Sequence, residues 1–358
     1  MQFLKDIINN LSRPEIFITL STVAFFVMLL SRAAWSRMSF WVGNLLITSF
    51  FGLSALDPNF RIIITKPDNV PIMIMVYTVW WCMWLAMSQA VANDRRMEMG
   101  LPPDEQEDGA KKVWCWPDLV YIELLAMLLV GALLVIWSVY LKAPLEEPAN
   151  PQDSPNPAKA PWYFLGLQEM LVYYDPWLAG VVFPGLIVVG LMALPYIDPN
   201  PLGNGYFTFK QRKFAITWFN FGFIVLWVVL IFLGTFLRGP NWNFYGPFEL
   251  WDAHKLEVLV NINLSEMFWI TLLNQPLPNS WILREAPGFM VLIVYFTVGA
   301  YILTRTYFKK FHVQMTTVRY QILVALWLIM MALPIKMVLR WLLNLKYIVA
   351  IPEYFFNI

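Results

Sequence analysis

The sequence predicts an all-α integral membrane protein with about eight transmembrane helices. Its 358 residues are 59% hydrophobic and 14% charged, whereas a soluble domain carries roughly 25% charged residues. The mean hydropathy is +0.57. A membrane-spanning helix needs about 20 mostly apolar residues, because the bilayer core offers no water to an open backbone. Eight stretches meet this requirement: 15–31, 39–56, 70–92, 118–141, 176–195, 214–237, 287–304 and 320–343.

The aromatic content and the net charge limit the classes of protein to which the chain can belong. The chain has 18 Trp, 27 Phe and 15 Tyr, a content typical of aromatic belts at two membrane–water interfaces. The net charge of +1 predicts no nucleic-acid partner. Cys82 and Cys115 form no haem-attachment or iron–sulfur motif. The first apolar run lacks a basic start and a small-residue cleavage site, so we expect a retained helix and not a signal peptide.

Turn signals separate the predicted helices and indicate three sections. Asp57-Pro58 and the run from Asp198 to Pro201 are typical of loops that end helices. We find no internal repeat. The sections are 1–110 with three helices, 111–245 with three helices, and 246–358 with an outer loop and two helices.

The distribution of lysine and arginine predicts the orientation in the membrane. Thirteen of the 25 lie in four short loops, and cytoplasmic loops carry the excess of these residues. The long segments 142–175 and 238–286 are then on the outer side. Their aromatic content argues against disorder, and long ordered loops are usually functional. The four inner loops are 32–38, 93–117, 196–213 and 305–319.

The number of histidines limits the redox chemistry of the chain. An intramembrane b-type haem needs axial ligands, normally histidines on facing helices. This chain has His254 and His312, which the predicted topology places in loops on opposite sides of the membrane. We therefore predict that this chain alone ligates no haem, iron–sulfur cluster or other metal.

Two acidic residues near the start of the fourth helix are functional candidates, because charged groups inside membrane segments are rare. Glu123 lies about one turn inside the helix. Its side chain reaches back to the membrane–water interface, pairs with a helix of a partner subunit, or takes part in proton transfer. Asp118 stands at the helix start, where the helix dipole favours a carboxylate in any case.

An aromatic stretch follows the long outer loop. It reads Ala160-Pro161-Trp162-Tyr163-Phe164-Leu165-Gly166-Leu167-Gln168-Glu169. Pro161 can open a helix, since its missing N–H would be unpaired there. We predict a short amphipathic helix at the outer surface after Pro161. The side chains of Trp162, Tyr163, Phe164 and Leu167 can wall the flat apolar slot that a quinone ring needs. The alternative is an aromatic anchor at the membrane interface.

The central section resembles the C-terminal half of cytochrome b, known as subunit IV in the cytochrome bf complex. The order of motifs carries the resemblance over about 111–245. They are Trp116-Pro117-Asp118-Leu119-Val120-Tyr121, then Glu147-Pro148-Ala149-Asn150-Pro151, the aromatic stretch, Leu194-Pro195-Tyr196-Ile197-Asp198, and Arg238-Gly239-Pro240-Asn241-Trp242-Asn243. The first three helices resemble no family that we identify.

The resemblance implies an outer quinol-oxidising site formed by Pro161, Trp162, Tyr163, Phe164 and Leu167. It also implies, on a single residue, an inner quinone site near Asp118. The sequence departs from the family at one position. The family motif is Pro-Glu-Trp-Tyr, and its glutamate is implicated in accepting a proton from quinol. This chain has Pro161 immediately before Trp162, and a proline cannot accept a proton.

Glu169 is the candidate replacement for the missing glutamate. It follows Trp162 by seven residues, about two helical turns, so both lie on a similar face. The alternative is that Glu169 belongs to a solvated polar face. Asp175 and the pair Glu146-Glu147 are further candidates.

The resemblance implies a haem-free subunit of a bacterial quinol:cytochrome c-type oxidoreductase in the cytoplasmic membrane. The expected partners are a haem b-bearing subunit of the N-terminal cytochrome b type, a Rieske-type iron–sulfur protein, a c-type cytochrome and membrane lipid. The expected bound molecule is a quinone or quinol in a shared site. The alternative is a structural anchor with no quinone site. A channel is a further rival, but it predicts several ionisable residues in mid-membrane, and the apolar runs hold almost none.

Overall fold

The computed structural model describes residues 2–109, 111–143, 145, 148–152, 154–200 and 206–358. Helices dominate it. They are α1 Gln2–Leu11, α2 Pro14–Leu30, α3 Arg37–Ser54, α4 Pro58–Thr65, α5 Val70–Glu98, α6 Asp104–Asp108, α7 Val120–Tyr140, α8 Leu165–Met170, α9 Phe183–Ile197, α10 Phe209–Asn220, α11 Val229–Phe236, α12 Leu264–Glu266, α13 Trp281–Arg305, α14 Lys309–Gln314 and α15 Thr317–Leu343. The predicted all-α class is confirmed.

Among the described residues, six helices are long and apolar enough to cross a membrane, or eight if two bent helix pairs are each one span. In the bent pairs, α1 meets α2 at 78° and α3 meets α4 at 117°. The predicted runs 15–31 and 39–56 correspond to α2 and α3. The protein is therefore a multi-pass membrane protein. The six long helices are Pro67–Glu98, Cys115–Tyr140, Leu178–Ile197, Phe209–Phe236, Trp281–Arg305 and Thr317–Leu343.

Polar contacts join the segments that were predicted to lie on the outer side. Lys5, before α2, pairs with the buried Asp57 after α3 at 2.5 Å. Asn357, near the C-terminus, donates a hydrogen bond to Asp175 at 2.9 Å. Both contacts link segments that are far apart in sequence. These segments therefore meet at one end of the helices.

A second set of polar contacts joins the segments predicted to lie on the inner side. Arg32, after α2, pairs with Glu98 at the end of α5 at 2.7 Å. Arg319, in α15, donates to the backbone carbonyl of Asp198 after α9 at 3.2 Å. The loops thus separate into two groups, in agreement with the alternation predicted for consecutive membrane crossings.

The main hydrophobic core surrounds the contact between α8 and α11. A Cβ on Gly166 of α8 would lie 3.2 Å from the carbonyl oxygen of Trp227, and one on Gly234 of α11 would lie 3.2 Å from that of Leu165. The two glycines therefore allow the helix backbones to approach closely. Aromatic side chains of α2 complete the core, with Phe17 stacked on Phe232 at 5.6 Å.

A short hairpin follows α15 at the end of the helices that was predicted to be outer. Its strands, β1 Ala350–Ile351 and β2 Phe356–Asn357, pair antiparallel. Glu285 of α13 is buried and accepts a hydrogen bond from the backbone N–H of Ala350 at 2.9 Å. The hairpin is thereby held against α13.

The helix Cys115–Tyr140, which contains α7, differs from the other long helices. Its most apolar 18-residue stretch has the highest mean hydropathy of the six helices, 2.7, and none of that stretch is buried. A Cβ on Gly131 would meet no atom within 4 Å. The predicted fourth helix is confirmed, but the rest of the described chain does not cover it.

Candidate functional site

The aromatic stretch after Pro161 folds as a 3-10 turn, Trp162–Phe164, followed by α8. This confirms the predicted short surface helix. The preceding loop is fixed by Gln168, whose side chain accepts from the backbone N–H of Ala160 and donates to the carbonyl of Ala158, both at 2.8 Å. The position of the stretch is therefore set by α8 itself.

The short helix has a buried face and an open face. Leu165, Gly166, Glu169 and Met170 are buried. The partly buried Trp162 and Leu167 pack against the main core. Tyr163 and Phe164 are 47% and 48% exposed, and their ring centroids lie 4.7 Å apart. We call Pro161, Tyr163 and Phe164, which are all exposed, the aromatic shelf.

Glu169 lies on the buried face of α8 and is fully buried, so the alternative of a solvated polar face is wrong. The Arg238 guanidinium donates from Nε to one carboxylate oxygen at 2.9 Å and from Nη2 to the other at 2.6 Å. The indole Nε1 of Trp242 donates to the first oxygen at 3.2 Å. The guanidinium thus holds the carboxylate in a two-pronged pair, the geometry that Arg and carboxylate groups favour.

Arg238 comes from the Arg238–Asn243 motif that follows α11. Its Nη1 also donates to the carbonyl of Trp242 at 3.2 Å. Burial lowers the pKa of Arg238, but the charge and hydrogen bond of Glu169 outweigh it, and the net pKa shift is upward. Asn241 and Trp242 have φ values of 59° and 56°, and this tight turn brings the Trp242 side chain back to Glu169. The motif is recognisable in the sequence, but its pairing with Glu169 is not.

Lys159, which the sequence analysis missed, lies beside this pair. Its Nζ donates to the carbonyl of Thr235 at 2.8 Å and sits 4.9 Å from the ring centroid of Trp251. The pKa of Lys159 is lowered to about 7. Burial is the largest cause, and the positive charge of Lys66 contributes to the decrease. A lysine in a proline-rich loop is typical of solvent-exposed sequence, so no sequence signal marked it.

The pKa of Lys159 predicts a pH dependence of stability. The unfolded amine has a pKa near 10.4, so between about pH 7 and 10 the unfolded state binds more protons than the folded state. The free energy of unfolding should therefore rise with pH through that range, by up to about 4 kcal/mol, since one pKa unit corresponds to about 1.4 kcal/mol. Lys159→Met should reduce this rise in thermal unfolding of the detergent-solubilised protein, whereas Lys142→Met, at an exposed lysine, should retain it in full. An identical pH profile for both variants would contradict the assignment.

The other predicted residues lie away from the shelf or outside the described residues. Asp118 and Glu123 are exposed on the uncovered helix. Asp175 accepts the hydrogen bond from Asn357 already noted. Glu146 and Glu147 fall outside the described residues. His254 has a 95% exposed side chain, and His312 packs edge-on against Tyr320.

Two cavities lie elsewhere in the described chain. One, of about 250 Å³, lies between α2, α5 and α10. The other, of about 330 Å³, lies between α5 and α6. Neither is lined by the aromatic shelf. The quinone slot stays a prediction for these residues.

Comparison with known proteins shows relatives for the part of the chain that contains α8 and the Arg238–Asn243 motif. Residues 148–248 match the family model described as cytochrome b (C-terminal)/b6/petD. Cytochrome b of Allochromatium vinosum is 31% identical over 101 residues, which are 27% of this chain and 23% of that protein. The menaquinol:cytochrome c reductase cytochrome c subunit of Geobacillus thermodenitrificans is 32% identical over 108 residues, 28% of this chain and 42% of that protein. No solved structure matches the chain.

The matched region includes the aromatic shelf, Lys159 and the Glu169–Arg238 pair. It leaves the three N-terminal helices, α7 and the two C-terminal helices outside. The chain spans less than half the length of the curated relatives it matches. Residues 148–248 are therefore similar to the C-terminal region of cytochrome b, as their motifs predict.

Proposed function

We propose that this chain is a haem-free subunit of a bacterial quinol:cytochrome c-type oxidoreductase and forms one wall of its outer quinol-oxidation site. The observation that carries the proposal is the aromatic shelf, which lies exposed at the end of a buried α8 within the family match. The chain is also 32% identical over 108 residues to a menaquinol:cytochrome c reductase subunit. Residues 142–175 would then face the periplasm, and the chain would reside in the cytoplasmic membrane.

The residues that form this wall would need to do little chemistry themselves. Oxidation of a quinol releases two electrons and two protons, and the electron carriers would belong to partner subunits. Tyr163 and Phe164 would hold the flat ring. The Glu169–Arg238 pair would fix the shelf from below, since both carboxylate oxygens accept from the guanidinium. Glu169 as the proton acceptor remains part of the proposal, and this role requires the pair to open during turnover.

The exposure of the helix Cys115–Tyr140 favours a partner subunit whose helices pack against it. Glu123 is an ionisable residue within an exposed apolar helix, and such residues usually face protein or water and not lipid. We propose that the haem b-bearing subunit of the N-terminal cytochrome b type covers this helix. A Rieske-type iron–sulfur protein and a c-type cytochrome would complete the complex.

Substitution of the shelf tests the proposal. In the intact complex, the double variant Tyr163→Ala/Phe164→Ala should raise the KM for quinol about tenfold, because one aromatic contact contributes up to about 1.5 kcal/mol. Assembly should be unchanged, since both side chains are half-exposed. Phe3→Ala, at an aromatic side chain that is 74% exposed on α1, is the matched control. An unchanged KM for the double variant would remove the shelf from the quinol site.

The alternative function is a membrane anchor without a quinone site. Two observations favour it: Pro161 stands where the family has glutamate, and Arg238 already engages both oxygens of Glu169. A photoreactive quinone distinguishes the two functions. Crosslinking to Tyr163 or Phe164 that an excess of quinol suppresses would support the quinol site, and labelling confined to partner subunits would support the anchor.

A further inference from the structure

A cavity at the predicted inner end of the helices has the composition of a lipid-binding site. Its volume is about 250 Å³, and it opens between the end of α2, the last third of α5 and the start of α10. The apolar side chains that line it are Leu29, Leu30, Trp35, Met87, Val91 and Phe209. Four of them, Leu29, Trp35, Met87 and Val91, are buried. The apolar part of the wall is therefore suited to hydrocarbon.

Charged side chains line the same cavity. Arg32, Lys210 and Lys213 are cationic and Asp94 is anionic. Arg32 and Lys210 both pair with Glu98. Lys213 is exposed and forms no ion pair with any described residue. With Glu98 counted beside the lining residues, three cations and two carboxylates give a net charge of +1, and Lys213 is the lining cation without an ion pair in the described chain.

We propose that this cavity binds the phosphate headgroup and upper acyl chain of an anionic phospholipid. The headgroup phosphate lies against Lys213, and the acyl chain follows the apolar wall, which includes Trp35. Basic pockets between membrane helices on the cytoplasmic side are a recognised way of binding anionic headgroups. Arg32 and Trp35 belong to the N-terminal section and Lys213 to the central section. The lipid therefore joins the unassigned N-terminal helices to the region similar to cytochrome b.

Native mass spectrometry of the purified intact complex tests this proposal, with the protein exchanged into detergent containing equal phosphatidylglycerol and phosphatidylcholine. The wild type should retain one phosphatidylglycerol molecule that resists delipidation. Lys213→Gln should weaken retention about fivefold, because one cation near the headgroup contributes about that factor. Lys310→Gln, which removes an exposed lysine of the basic 305–319 loop, should leave retention unchanged.

A second variant tests the apolar part without changing charge. Val91→Phe fills the cavity and should abolish retention, while thermal unfolding of the delipidated protein shows whether the fold is intact. Equal retention of the two lipids, or equal effects of the two lysine variants, would overturn the proposal. Competition by inorganic phosphate as effective as by phosphatidylglycerol would also overturn it and assign the site to a free anion. None of these outcomes depends on quinol turnover, so the test is independent of the proposed function.

Discussion

Arg238→Met is expected to destabilise the protein by about 3–5 kcal/mol, the usual cost when one partner of a buried ion pair is removed. The physical reason is Glu169, which is fully buried and would lose the cation that is hydrogen-bonded to both of its carboxylate oxygens. Trp242 alone would remain as its donor, at 3.2 Å. The effect should appear as a lower thermal unfolding temperature of the solubilised protein. Arg61→Met, at an exposed arginine, should be neutral within about 0.5 kcal/mol.

The double variant Glu169→Met/Arg238→Met separates the charge effect from simple loss of packing. Replacing both members of a buried pair by apolar groups of similar volume is often neutral or stabilising. We therefore expect the double variant to recover most of the stability that Arg238→Met loses. If the double variant were as unstable as the sum of the single variants, the pair would not be coupled as the distances indicate.

The same double variant also gives the cleaner functional test. Glu169→Gln alone would leave the Arg238 charge without its carboxylate, so a loss of quinol turnover could reflect a distorted shelf. A stable double variant removes this ambiguity. Loss of turnover with normal assembly would support Glu169 as the proton acceptor, whereas retained turnover would leave the pair a purely structural role.

Hydropathy and proline placement were sufficient to predict much of the fold. The helix predicted at 118–141 is found within Cys115–Tyr140, because a long uninterrupted apolar run has no other stable form in a bilayer. The short helix after Pro161 was predicted for a local reason, since proline favours the first position of a helix. Both predictions depend on neighbouring residues alone.

The features that the sequence did not predict depend on contacts between distant residues. Glu169 and Arg238 are 69 positions apart, and nothing near Glu169 distinguishes a buried carboxylate from a solvated one. The burial of Lys159 similarly depends on the carbonyl of Thr235 and the ring of Trp251. The C-terminal hairpin is held by Glu285, 65 positions before the N–H group that it accepts from. Local patterns carry no information on such pairs.

The second large effect on stability is expected from a substitution of Gly288 in α13, which lies against the residues that precede the hairpin. A Cβ at this position would lie 2.8 Å from the Val349 side chain and still closer to the backbone oxygen of Ile348. A backbone atom cannot rotate away, so the hairpin would have to move. We expect Gly288→Ala to cost roughly 2–3 kcal/mol, in the range of overpacked cores.

Gly299→Ala in the same helix is the matched control, because its nearest neighbour would be a Leu328 methyl group at 3.7 Å. Its effect should stay below about 1 kcal/mol. The readouts are thermal unfolding and limited proteolysis of 345–358, which Gly288→Ala should accelerate. Because Asn357 bonds to Asp175 and accepts from Trp177 at 3.0 Å, release of the hairpin would also loosen the segment after α8. Faster proteolysis in Gly288→Ala but an unchanged KM for quinol would mean that α8 holds the aromatic shelf without help from the C-terminus.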